Sequence, residues 1–153
     1  MRAVSRLLIW SGLDTWRAEV ATVDLGAGGL SATGTQLGAE PLPYRLDYQL
    51  EVDEDWITRE LRVTARGNGW SRRLALRHDG TWGWSADAGY AGRASLAEPG
   101  GDLDAVAGAL DCDLGLCPLT NVMPVRRHDL HVRAGARDFL MAWVSVPDLR
   151  VHA

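Results

Sequence analysis

A chain of 153 residues with 46% hydrophobic content can bury one core without disulfide staples and is too apolar to be disordered. Its formal charge of −4 and pI near 5.5 argue against a nucleic-acid binder, which would carry a basic domain or stripe. All 16 basic residues are Arg, which excludes chemistry built on a lysine Schiff base or a phosphate-loop lysine.

Cys112 and Cys117 are too few to hold a metal alone, and the scattered His78, His128, His131 and His152 do not complete a site. Two buried thiols in a reducing cytoplasm are expected, with no metal and no cofactor. The only apolar run near the N-terminus, Leu7 to Trp10, is too short for a secretory core or a membrane span, which predicts a cytoplasmic protein. Residues 1–153 read as a single domain.

In chain order, Arg6 to Trp10 predicts a first strand, stopped by Ser11-Gly12. The stretch from Thr15 alternates, with Trp16, Ala18, Val20 and Thr22 on one face and Arg17, Glu19, Ala21 and Val23 on the other. Neither face is cleanly polar, as in a central strand or one beside a ligand cavity. Gly26 to Gly29 is a turn, and Leu30 to Leu37 reads as an edge or hairpin partner. Tyr44 to Val52 holds an unbroken period of two, with Tyr44, Leu46, Tyr48, Leu50 and Val52 sharing a face. After the acidic turn Asp53-Glu54-Asp55, Trp56 to Ala65 alternates with Ile57, Arg59, Leu61, Val63 and Ala65 inward and Thr58, Glu60, Arg62 and Thr64 outward.

Gly67-Asn68-Gly69 and Asp79-Gly80 are hairpin signals on either side of a strand from Arg72 to His78. Thr81 to Ser85 would complete a four-stranded meander over 44–85. Ala86 to Asp104 reads as one long irregular lid loop. Ala105 to Leu114 is extended. Thr120 is placed to cap a short helix from Asn121 to about His128. Arg137 to Val146 reads as a long central strand, and Leu149 to Val151 as a terminal edge.

The chemistry-bearing residues gather between 108 and 130. Asp111 and Asp113 share a face near Arg126 and Arg127 in sequence. They could form an acid–base pair, but Arg–carboxylate forks pinning the helix to the sheet are favoured. Glu19 is a second candidate for that network. Asn121 could reach a ligand or cap the helix, and capping is favoured. Seven tryptophans against one phenylalanine suggest that some line a cavity, although core packing accounts for most. The candidate ligand-binding set is Trp16, Glu19, Tyr44, Tyr48, Trp84, Asn121, Arg126 and Arg127. If a reaction is catalysed, Glu19, Tyr48, Asp111 and Asp113 are the residues to test first.

The order of motifs is similar to that of a known bacterial family. It runs from Trp16 and Glu19 through Pro43-Tyr44-Arg45-Leu46-Asp47-Tyr48, Arg59 and Gly80-Thr81-Trp82. It continues through Gly108 to Leu114, Thr120-Asn121-Val122-Met123-Pro124-Val125-Arg126-Arg127, and Ala142-Trp143-Val144-Ser145-Val146-Pro147. The chain resembles the family called "putative glycolipid-binding", and the Thr-Asn-x-x-Pro-x-Arg-Arg segment is the most specific part of the match. The resemblance implies a mainly β fold like that of periplasmic lipoprotein carriers. In that fold a strongly curved antiparallel sheet, a half-barrel or β-roll, wraps a short helical segment and an apolar cavity. It also implies a small amphipathic or apolar ligand as the partner. Departures from the family pattern fall mainly after residue 86. Two functions follow: binding of a lipid-like or glycolipid ligand, or an enzyme, such as a cyclase or isomerase, acting on an apolar natural-product intermediate in the same cavity.

Overall fold

The computed structural model describes residues 4–153. Residues 1–3, which open the stretch read for a targeting segment, lie outside the described residues.

Seven strands follow one another as an antiparallel meander: β1 (Val4–Ser11), β2 (Arg17–Gly26), β3 (Gly29–Gly38), β4 (Tyr44–Val52), β5 (Thr58–Gly67), β6 (Trp70–His78) and β7 (Trp84–Gly92). Their spatial order is their sequence order. The sheet is curved and open, with β1 and β7 at its edges. Two-residue loops make its tightest turns, Ala27-Gly28 between β2 and β3 and Asn68-Gly69 between β5 and β6.

A second, smaller sheet is ordered β8 (Gly100–Gly101), β11 (Arg150–His152), β10 (Met141–Val144), β9 (Asp111–Leu114). It is mixed: β10 runs antiparallel to β11 but parallel to β9, and β11 runs parallel to β8. A 3-10 turn over Pro118–Asn121 leads into the short helix α1 (Val122–Arg127). No helix among the described residues is long and apolar enough to cross a membrane.

Alternation gives the large sheet one packed face and one open face. Ala21, Val23, Leu30, Ala32, Leu46, Leu50, Leu61, Val63, Leu74 and Leu76 are buried on the packed face. They share one core with Leu114, Leu119, Met123, Val144 and Leu149 of the second layer. Burial of this kind is the main drive to fold, at roughly 25 cal/mol per Å² of apolar surface.

Several expectations change. The Leu30–Leu37 strand is the expected hairpin partner of β2, and because β4 pairs its other side it is not an edge. In β5 the expected inward and outward sets hold from Glu60 onward, but Thr58 is fully buried. The cause is a bulge: Glu51 pairs with Glu60 while Val52 pairs with Thr58, so Arg59 is an extra residue, exposed and not inward, and the facing of its predecessor is reversed.

The expected lid shrinks, because Trp84 to Gly92 pairs with β6 along its whole length. Its Ala, Gly and Asp residues carry no strand signal, and β6 supplies the pairing edge. The remainder is tied back, with Arg72 Nε donating to the Ala97 carbonyl at 3.4 Å and Tyr90 OH donating to Glu98 at 2.9 Å. Thr81 to Gly83 is a turn. There Asp79 Oδ1 accepts from the Thr81 hydroxyl and the Thr81 and Trp82 amides, which hold its carboxyl down at about 2. The predicted strand over 137–146 is limited to Met141–Val144. The last strand, β11, is no edge, since β8 and β10 flank it.

Candidate functional site

On the packed face the buried carboxylate of Glu19 is surrounded by neutral donors. Tyr48 OH donates to Oε1 at 2.8 Å, Cys117 Sγ donates to the same oxygen at 3.1 Å, and Gln36 Nε2 donates to Oε2 at 3.2 Å. Gln36 in turn accepts the Tyr44 hydroxyl at 2.8 Å. The local sequence makes this possible. Gly34 and Gly38 lie directly opposite Tyr48 and Tyr44, and each phenol ring lies over the bare glycine backbone, where a Cβ would collide with it. Burial pushes the Tyr44 phenol up to about 12 and raises the Tyr48 phenol and the Cys117 thiol as well. At neutral pH all three are hydrogen-bond donors rather than nucleophiles. A cleft of about 80 Å³, lined by Glu19, Gln36, Trp10, Arg17, Leu116 and Pro118 among others, opens beside this network.

A second polar cluster pins α1. Arg127 binds Asp111 through its two terminal nitrogens, Nη1 and Nη2, and donates from Nη1 to the Trp56 carbonyl at 2.7 Å. Trp56 takes a left-handed backbone, φ 61°, at the end of the acidic turn, where Asp53 Oδ1 accepts the Asp55 and Ile57 amides. Arg126 lies over the Trp56 ring at 5.1 Å. The favoured fork is therefore present for Asp111 and Arg127. Asp113 pairs with Thr120 instead, accepting its hydroxyl at 2.8 Å, and burial raises its carboxyl.

The remaining candidate residues are dispersed. Trp16 stands in the β1–β2 turn, 63% exposed. Trp84 is buried and donates from Nε1 to the Ala109 carbonyl at 3.0 Å. Asn121, exposed, precedes α1 without a side-chain capping bond. Thr120, expected as the cap, lies one residue too early and spends its hydroxyl on Asp113 and the Leu114 amide. The structure thus brings Glu19, Tyr44 and Tyr48 together, brings Asp111, Arg126 and Arg127 together around Trp56, and leaves Trp16, Trp84 and Asn121 apart. Gln36 and Cys117, absent from the candidate set, complete the Glu19 network. Gln36 could have been found by parity, since it falls on the same face as Leu30 and Ala32.

A larger space lies on the opposite, open face: a trough of about 600 Å³ running across β2 to β6. Strand register lays two rows of side chains along it. One row reads Thr22, Thr33, Gln49, Arg62, Ala75, each directly opposite the next on the neighbouring strand. The other reads Val20, Thr35, Asp47, Thr64, Arg73. Neighbouring strands lie about 4.8 Å apart, so the floor from β2 to β6 spans roughly 19 Å.

Each charge on this floor has a partner: Asp47 lies with Arg45 at 2.9 Å, Arg73 lies with Asp87 at 3.0 Å, and Arg62 lies with Glu60 at 3.0 Å, a carboxylate it shares with Arg77 at 2.6 Å. Burial draws the Asp47 carboxyl up, but hydrogen bonds from Arg45 and Thr35 hold it below the usual range, so it stays ionised. Thr22, Thr33, Gln49 and Thr64 line the trough without a side-chain hydrogen bond among the described residues. Their hydroxyl and amide groups are free to meet a ligand.

The fold and these two faces define a mainly β protein with an open antiparallel sheet, one side sealed by a second layer and the other carrying a polar trough. The chain belongs to the family described as "Putative glycolipid-binding", whose model matches residues 7–153. It is similar to a solved structure of a DUF1089 family protein from Pseudomonas aeruginosa, at 29% identity and a TM-score of 0.63, over 96% of this chain and 74% of that one. No curated protein matches the chain.

Proposed function

We propose that the protein binds an amphipathic, glycolipid-like molecule, with the hydroxyl-rich part of the ligand in the trough of the open face. The observation that carries this function is the free donor and acceptor groups of Thr22, Thr33 and Gln49, set in register across three strands, with Thr64 in the adjoining row. A sugar offers alternating hydroxyls that both donate and accept, as Thr and Gln side chains do. Membership of the family supports the ligand class.

The test is titration of the isotope-labelled protein with octyl β-D-glucoside below its micelle concentration, followed by amide chemical shifts. The expected shifts gather on Thr22, Thr33, Thr35, Gln49 and Thr64. The variant Gln49→Ala should weaken binding several-fold, the worth of one or two net hydrogen bonds at about 0.5–1.5 kcal/mol each. Shifts that gather around Trp10, Glu19 and Leu116 instead, or no saturable binding, would overturn the assignment.

A further inference from the structure

Both rows of the trough change character at the same edge. The row through Thr33 and Thr22 continues onto Leu7 of β1, and the row through Thr35 and Val20 continues onto Ile9. Leu7 is 66% exposed and Ile9 73% exposed, and Val20, itself part of the trough lining, lies directly opposite Ile9. Leu37, on the same face and one pair along from Val20 and Thr35, is also exposed. None of these four side chains is charged. A sheet face exposed to water is usually polar, and two neighbouring aliphatic side chains on an edge strand are a feature that proteins ordinarily avoid.

We infer that this strip is the path of the ligand's alkyl chain: an amphiphile whose polar head fills the trough over β3 to β5 lays its first methylenes across Val20 and then between Leu7 and Ile9, leaving the sheet at the β1 edge. The inference rests on the trough being the head-group site. Continuity carries it. Val20 belongs to the polar trough and to the apolar strip, and the polarity of the floor runs one way, from Arg62 and Arg73 on β5 and β6 to Leu7 and Ile9 on β1, over five strand spacings or roughly 24 Å. The gradient matches a molecule with one polyol end and one aliphatic end. Neither a free sugar nor a fatty acid would use the whole of it.

The experiment compares methyl, hexyl, heptyl and octyl β-D-glucoside, all below micelle formation, on the wild type and on the variant Leu7→Thr, Ile9→Thr, which leaves the trough lining untouched. Thr has the β-branched shape that a strand favours. In the wild type each added methylene should tighten binding about two- to fourfold, fourfold being the limit of full burial. In the variant the dependence on chain length should flatten, with methyl glucoside bound as before. A spin label at the end of the octyl chain should broaden the amide signals of Leu7 and Ile9, a measurement that needs no variant.

Chain-length-independent binding with trough shifts intact would sink the alkyl path and leave the head-group site standing. Loss of trough shifts with every glucoside would sink both. A self-association that Ile9→Thr abolishes, seen by sedimentation without ligand, would reassign the strip to contact between copies.

Discussion

Arg127 holds Asp111 by both arms of its guanidinium, and the carboxylate it holds is 1% exposed. A buried ion pair adds little over an apolar pair of the same shape, but breaking it from one side is costly because the other charge stays buried. Arg127→Ala should therefore lower stability by about 3–5 kcal/mol in urea unfolding. Arg127→Lys should recover only part, since an ammonium cannot match both oxygens. The double variant Asp111→Asn, Arg127→Leu should be less damaged than Arg127→Ala. A double variant that is the worse of the two would show that the fork is not the reason for the loss.

The glycine opposite Tyr48 makes a second prediction. Gly34→Ala places a methyl group where the Tyr48 ring lies, so the phenol must leave Glu19. Overpacking of this kind costs about 1–3 kcal/mol. Tyr48→Phe removes the same hydrogen bond without the clash and should cost about 1–3 kcal/mol by leaving Glu19 short of a donor. If the double variant is no worse than Gly34→Ala alone, the two act through one contact. Full additivity in unfolding experiments would count against it.

The thiols should be silent in the native protein. Burial pushes the Cys112 thiol up to about 12 and raises Cys117 as well, and both are closed off from solvent. A thiol-reactive probe at pH 8 should label neither residue until denaturant is added, then both. Rapid native labelling of either one would contradict the packing described here.

Acid should weaken the fold through His78. Its Nδ1 accepts the Gly80 amide at 3.2 Å, its ring is packed against Trp84, and burial lowers its pKa below the ordinary 6.5. The folded state thus favours the neutral ring, while the unfolded chain takes up a proton near pH 6.5. The stabilising contribution is complete above about pH 6.5 and is lost as the pH falls toward the folded-state value. Between pH 7 and 5 the wild type should lose more stability than His78→Gln in urea titrations. Equal slopes would remove His78 as the cause.

Much of this architecture was legible from alternation and turn residues. Tyr44 to Val52 declared its two faces, and Gly67-Asn68-Gly69 its hairpin, because local backbone preference and final packing agree there. Thr58 was misread because a bulge reverses facing without leaving a mark on composition. The strand from Trp84 to Gly92 was hidden because Ala and Gly join a sheet through a neighbour's pairing edge and not through their own preference. The Asp111–Arg127 fork could be anticipated from proximity in sequence. The trough could not. Thr22, Thr33, Gln49 and Thr64 each read as an ordinary solvent-facing residue, and only strand register sets the first three in one row with Thr64 in the next.

The second layer has a consequence for biosynthesis. The meander is built from hairpins between sequence neighbours, which close early and with little loop entropy. The small sheet is not: β8 at Gly100–Gly101 waits for β11 at Arg150–His152, and β9 for β10. As the chain leaves the ribosome, the apolar face of the large sheet is therefore made well before Val144, Leu149 and Val151 arrive to cover it. That interval is when the nascent protein is most exposed to aggregation and most in need of a chaperone.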